Sequence, residues 1–308
     1  MIRNEPLSRR DACGRMLAAA AAWALPHTAF AAAADEWAPT YVLASSMYGT
    51  TALAEILPEV ERTGAVGIDL WPRVHGNQRE QVEEMGHDAF RRLLKEHSAA
   101  LYMTTRYDLG PFKLEGELQF VHDFGGKVIV TGAHKSPGDT LDEKVRAFVA
   151  KLQPHVERAE ELGITIAIEN HANSLLDSPE SLRCFAEHAK SEHLGVAMAP
   201  YHLPQNPQLL AELIEDLGPN LVHFYAWEHG HGAMKKIPKD EELLQMPGIG
   251  SLDFAPLLSA MRKIDYRGAV QIFMHPFPRG IPILDTTEDV SNAINRSREY
   301  LTDALSAT

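Results

Sequence analysis

The sequence predicts a single (β/α)8 barrel of residues 35–308 behind an export leader of residues 1–34, and three observations lead there. Past the leader, short β-rich apolar runs alternate with longer segments of helical spacing. Eight such strands can be read, and regular alternation implies parallel pairing with right-handed crossovers, for which eight strands close a barrel. No G-x-G-x-x-G follows an early strand, which argues against an open doubly wound sheet. The chain has 308 residues, 45% hydrophobic and 23% charged, an ordinary globular composition with room for one barrel domain.

The leader comes first in the chain. Ser8-Arg9-Arg10-Asp11 precedes an alanine-rich apolar run from Met16 to about Leu25, and Ala29-Phe30-Ala31 follows as a small-x-small cleavage site. A basic start, an apolar middle and an Ala-x-Ala end make a secretory signal. The paired arginines and the weakly hydrophobic run favour the twin-arginine route, and so a periplasmic or extracellular destination. Pro26 and His27 interrupt the run before it reaches the ~20 apolar residues of a membrane span, so no stable membrane anchor is expected.

The barrel elements then follow in order. Strands are expected at 41–44, 66–70, 101–104, 128–131, 165–169, 194–198, 221–226 and 269–273. Helices are expected at about 51–61, 88–97, 114–124, 142–162, from Ser178-Pro179-Glu180 onward, 207–217, 254–263 and 288–305. Ser178 reads as a helix N-cap and Pro179 as the first helical residue. Gly64, Gly126, Gly163 and Gly268 stand just before strands, where a helix must end and the chain turn. The longest loops, 71–87 and 228–252, both follow strands and so belong to the C-terminal face, where barrel enzymes place their sites.

Charge and cysteine content narrow the partners. The chain carries a net −13, and the leader is itself basic, so the remainder is more acidic still. Such a surface repels phosphate backbones and excludes a nucleic-acid partner. Cys13 departs with the leader, leaving Cys184 alone with no intrachain disulfide available. A protein folded in the cytoplasm before export needs none.

Side chains that act in a barrel come from strand C-termini. Of 15 histidines, His134, His171, His202, His223, His229, His231 and His275 fall at or just beyond such ends. Glu169 closes the apolar strand Ile164-Thr165-Ile166-Ala167-Ile168, which aims a carboxylate into the barrel mouth, where it needs a partner. A carboxylate with several imidazoles suits a divalent transition metal such as Mn, Zn, Co or Fe. Such an ion polarises a carbonyl or hydroxyl and orients a polyol. Trp71 and Arg73, after the second strand, are candidate substrate contacts, as is His171. Lys235, Lys236 and Lys239 could meet an acidic ligand, although such runs are commonly solvated.

From about Tyr41 onward the chain resembles the sugar phosphate isomerase/epimerase superfamily, the xylose isomerase-like barrels. The resemblance rests on Gly67-Ile68-Asp69-Leu70-Trp71, Ile166-Ala167-Ile168-Glu169-Asn170-His171, Pro200-Tyr201-His202 and Leu221-Val222-His223. Gly248-Ile249-Gly250-Ser251-Leu252-Asp253-Phe254 and Asp265-Tyr266-Arg267-Gly268 continue it. It implies a metal held by Glu on strand five, Asp on strand six, His on strand seven and Glu on strand eight. Glu169 and His223 match that pattern, whereas Ala199 and Phe273 occupy the other two positions. His202 and His275 can substitute, giving a Glu169, His202, His223 and His275 site with Glu169 as catalytic group. The expected function is thus a metal-dependent isomerase, epimerase or lyase acting on a sugar or sugar derivative. The alternative is a metal-free exported barrel that binds a saccharide without the chemistry. A phosphodiesterase, as in the related apurinic endonucleases, conflicts with the acidic charge and the altered ligand set.

Overall fold

The computed structural model describes residues 37–229 and 237–308. The leader, together with His231, Lys235 and Lys236, lies outside the described residues. Among the described residues nine strand segments form one all-parallel sheet: β1 (Thr40–Tyr41), β2 (Leu43–Ala44), β3 (Ile68–Leu70), β4 (Leu101–Thr105), β5 (Val128–Gly132), β6 (Thr165–Glu169), β7 (Leu194–Met198), β8 (Leu221–Ala226) and β9 (Ala269–Ile272). The expected first strand is divided at Val42, and the division closes the ring. Its first half pairs with β9 and its second with β3. Val42 N donates to Val270 O at 3.0 Å and Leu43 N to Gly67 O at 3.0 Å. The result is a (β/α)8 barrel, and its inward and helix-facing side chains form one continuous apolar core.

The outer layer consists of α1 (Leu53–Arg62), α2 (Gln78–Met85), α3 (His87–Glu96), α4 (Glu115–Asp123), α5 (Leu141–Leu162), α6 (Pro179–His188), α7 (Pro207–Leu217), α8 (Ala255–Lys263) and α9 (Thr287–Ser306). Helix boundaries follow local chemistry. Thr140 and Glu143 form a reciprocal capping box at the start of α5, and Gly163 ends it at φ 66°, a left-handed position that glycine takes without strain. Ser178 caps α6 as expected, its hydroxyl accepting from Ser181 N at 3.2 Å, with Pro179 in the first turn.

Two segments expected as loop contain helix. Helix α2 occupies part of 71–87, and a 3-10 segment, Lys239–Gln245, occupies part of 228–252. The α2 sequence QREQVEEM has too few apolar residues to show a helical stripe. Side-chain amides hold it instead: Gln78 Nε2 donates to Gly49 O at 2.8 Å and Thr51 O at 3.0 Å, and Gln81 Nε2 donates to Thr51 O at 3.1 Å. Among the described residues no helix is long and apolar enough to cross a membrane.

Candidate active site

The C-terminal ends of the strands surround a cleft of about 650 Å³. Glu169 lies at its base as the last residue of β6, and Asn170 follows. The Asn170 amide grips the end of β7 from both sides: Nδ2 donates to Ala199 O at 3.0 Å, and Oδ1 accepts from Ala199 N at 2.7 Å. This clamp fixes the turn Pro200–His202 and sets His202 beside Glu169. His202 Nε2 stands 3.8 Å from Glu169 Oε1, and each side chain is 3% exposed.

Both groups are electrostatically unsatisfied. Glu169 Oε2 and both ring nitrogens of His202 are buried without a hydrogen-bond partner among the described residues. Burial raises the Glu169 carboxyl well above the ordinary carboxylate range, against the lowering influence of Arg279. Burial lowers the His202 imidazole to about 3, assisted by His171 and Arg279. Unmatched buried polar atoms are costly, so this pair calls for a ligand.

Around it stand two imidazole pairs and an aromatic wall. The His171 and His202 rings are 4.0 Å apart at their centroids, and those of His75 and His275 are 4.7 Å apart. Burial pushes His75 down to about 4 and His275 well below the usual imidazole value. Tyr201 stacks on Trp227 at 3.9 Å and 7°, and its ring also lies 5.3 Å from that of His229. Tyr107, His134, Lys135 and Arg279 complete the rim. The long loop after β8 is anchored by Glu228, whose carboxylate accepts from Leu252 N; a Cβ at Gly250 would lie 2.4 Å from that carboxylate.

The expected site residues therefore divide. Glu169, His171, His202 and His275 all line the cleft. His223 does not line it: it is fully buried on the inner face of β8, and Tyr225, two residues nearer the mouth on the same face, lies edge-on to it at 4.5 Å. Trp71 is likewise fully buried beneath the cleft, stacked on Phe273 at 5.1 Å, with Nε1 donating to Asp69 Oδ2 at 2.5 Å. Arg73 points away, its side chain 61% exposed and 4.0 Å from Glu84. Lys239 pairs with Glu242 at 2.6 Å.

Phe273, which takes the place of an expected carboxylate, is buried among Trp71, Tyr225 and Trp227. Ala199, in place of the other, is fully buried. Of the cleft residues, His75, Tyr107, Lys135, Trp227 and Arg279 carried no site reading in the sequence. His75 lies five residues beyond the end of β3 and Arg279 seven beyond the end of β9, in loops where no periodicity marks which side chain turns inward.

Metal fit can be judged from the donors. Glu169 and His202 offer unpartnered oxygen and nitrogen at a separation compatible with two positions on one ion, whose bonds run ~2.0–2.2 Å. His275 shares their cleft. Among the described residues, three metal-ligating side chains with all donor atoms within 4.8 Å of one another occur elsewhere, at Asp142, Cys184 and His188 on α5 and α6. There the Asp142 oxygens already engage His188 Nε2, at 2.6 Å, and Arg146.

The profile of the xylose isomerase-like TIM barrel family matches residues 57–290. The chain belongs to this family. Similar solved structures include a zinc-bound IolI protein, at 15% identity over 87% of this chain and 99% of that one, with a TM-score of 0.68. D-psicose 3-epimerase in the presence of D-fructose matches at 18% identity over 85% and 99%, TM-score 0.62. The apo 3-keto-D-glucoside 4-epimerase YcjR from E. coli matches at 16% identity over 84% and 99%, TM-score 0.61. At these identities the shared property is the fold. Among curated proteins no sequence match is found.

Proposed function

We propose that this xylose isomerase-like barrel is an exported, metal-assisted isomerase, epimerase or lyase acting on a sugar or sugar derivative. The observation that carries the reading is the Glu169–His202 pair, two buried and unpartnered groups 3.8 Å apart at the base of the cleft. Solved structures of the same fold are by name a D-psicose 3-epimerase and a 3-keto-D-glucoside 4-epimerase, which supports the substrate class. Export rests on the twin-arginine pattern of the leader.

Glu169 and His202 would hold a divalent ion of the Mn, Zn, Co or Fe type, with His275, which follows β9 and lines the same cleft, as a further donor. When bound, that ion supplies Lewis-acid polarisation of a carbonyl or hydroxyl oxygen. The chain's own residues do the rest. Glu169 takes or returns a proton at the carbon beside the carbonyl, its side chain 3% exposed at the base of the cleft. With Phe273 where a second carboxylate would stand, the complementary proton transfer is assigned to His171, which lines the cleft with its ring 4.0 Å from that of His202. The stacked Tyr201 and Trp227 give an apolar surface against which a sugar ring can lie.

The test is solvent exchange. Purified protein is incubated with a panel of aldoses, ketoses and keto-sugars in D2O with Mn, Zn, Co or Fe, and deuterium incorporation beside the carbonyl is followed by NMR. Exchange abolished by Glu169→Gln supports the reading. The replacement of two family carboxylates by Ala199 and Phe273 favours a second reading, a barrel that binds a saccharide without turning it over. Binding without exchange across the panel would establish that alternative.

A further inference from the structure

The cleft and the rest of the molecule have opposite electrostatic character. The chain carries a net −13, yet the cleft is lined by two permanent cations, Lys135 and Arg279, against a single acid, Glu169. Lys135 follows β5 and Arg279 follows β9, which stand on opposite sides of the ring, so the two cations face the cleft from opposite rims. Neither makes an ion pair among the described residues. Glu242, whose charge also reaches Arg279, is already satisfied: its Oε2 lies 2.6 Å from Lys239 Nζ and its Oε1 accepts from Phe277 N at 2.9 Å. An acidic protein that keeps unpaired cations at the mouth of its cleft has built an attractive site for an anion.

We infer that the substrate is an anionic sugar derivative, a sugar acid whose carboxylate is taken by Arg279, with Lys135 as the second cation across the cleft. This rests on the sugar-cleft reading above and narrows it. A guanidinium presents a planar fork of donors that matches a carboxylate, and such charge-assisted bonds are about twice as strong as neutral ones. Discrimination between an acid and its neutral parent should follow, because the neutral sugar leaves the guanidinium unmatched.

Binding measured by calorimetry on the purified full chain tests this, using D-glucuronate and D-galacturonate, their neutral parents D-glucose and D-galactose, and D-glucose 6-phosphate. The uronates should bind about tenfold or more tightly than the neutral sugars. That preference should weaken as salt rises. In Arg279→Gln the ratio should fall to within about threefold of unity, while Arg279→Lys should keep part of it; thermal melts check that both variants are folded. Neutral sugars binding as tightly as the uronates, or a preference that survives Arg279→Gln, overturns the anionic assignment and leaves the sugar cleft standing. Tighter binding of the 6-phosphate than of either uronate overturns the carboxylate in favour of a phosphate. No binding by any sugar, charged or neutral, overturns the sugar-cleft reading itself.

Discussion

His202 Nε2 stands 3.8 Å from Glu169 Oε1, and although both side chains are buried, Glu169 Oε2 and both imidazole nitrogens lack a hydrogen-bond partner among the described residues. A folded protein rarely leaves such atoms unmatched unless something else occupies the site in use. The relationship is maintained from behind by Asn170, whose amide bonds both the amide and the carbonyl of Ala199 and thereby fixes the turn that carries His202.

Asn170→Ala should therefore act at a distance. It removes two buried hydrogen bonds, at a cost on the order of 1–3 kcal/mol, and lets the 200–202 turn drift. Apparent metal affinity, from competition with a chromogenic chelator, should fall roughly 10- to 100-fold, as is usual for groups that orient ligands. Unchanged affinity in a folded variant would show that the clamp serves stability alone.

The aromatic packing around Phe273 makes a second expectation. Restoring a carboxylate there with Phe273→Glu should not recover family chemistry, because the position is enclosed by Trp71, Tyr225 and Trp227 and is 1% exposed. Burying an unpaired acid should cost at least ~3 kcal/mol, which for a domain of this size is a Tm loss of roughly 6 °C or more. A variant that melts like the wild type and binds metal more tightly would contradict this.

Asp69 gives a pH signature. Burial pushes its carboxyl up to about 7 from 3.8, outweighing the bonds it accepts from Gln271, Thr105 and Trp71. An acid whose folded value is raised contributes stability that is complete below the unfolded value and is lost as pH rises through the folded one. Asp69→Asn keeps the shape and cannot ionise. Its stability relative to wild type should thus improve between pH 5 and pH 8, by on the order of 1–4 kcal/mol in urea denaturation. Only the difference between the two proteins isolates Asp69, since His75, His202, His223 and His275 are all pushed down and act in the opposite direction. A difference that does not change with pH would contradict the assignment.

How far the site was legible depended on how close each residue stood to the end of a strand. Glu169 was readable because it closes an uninterrupted apolar run, and His171, His202 and His275 because they follow strand ends within a few residues. His223 was drawn to the site by its family position, but Tyr225 and Ala226 continue the strand beyond it, and it does not line the cleft. Trp71 follows its strand directly, yet its indole turns inward to Asp69, a choice that the sequence pattern does not encode. Arg279 and His75 reach the cleft from loops, where tertiary packing alone decides direction. The barrel itself was almost wholly readable, since strand and helix periods alternate throughout. Helix α2 escaped because side-chain amides hold it and no apolar stripe marks it.

The most direct test of the account is the metal content of the protein, purified without chelators and measured by elemental mass spectrometry beside Glu169→Ala and His202→Ala. The account predicts close to one Mn, Zn, Co or Fe per chain in the wild type and loss of most of it in each variant, with His223→Ala retaining it if folded. A wild type that carries no metal even after reconstitution, or variants that keep it in full, would contradict the central claim that Glu169 and His202 hold the ion.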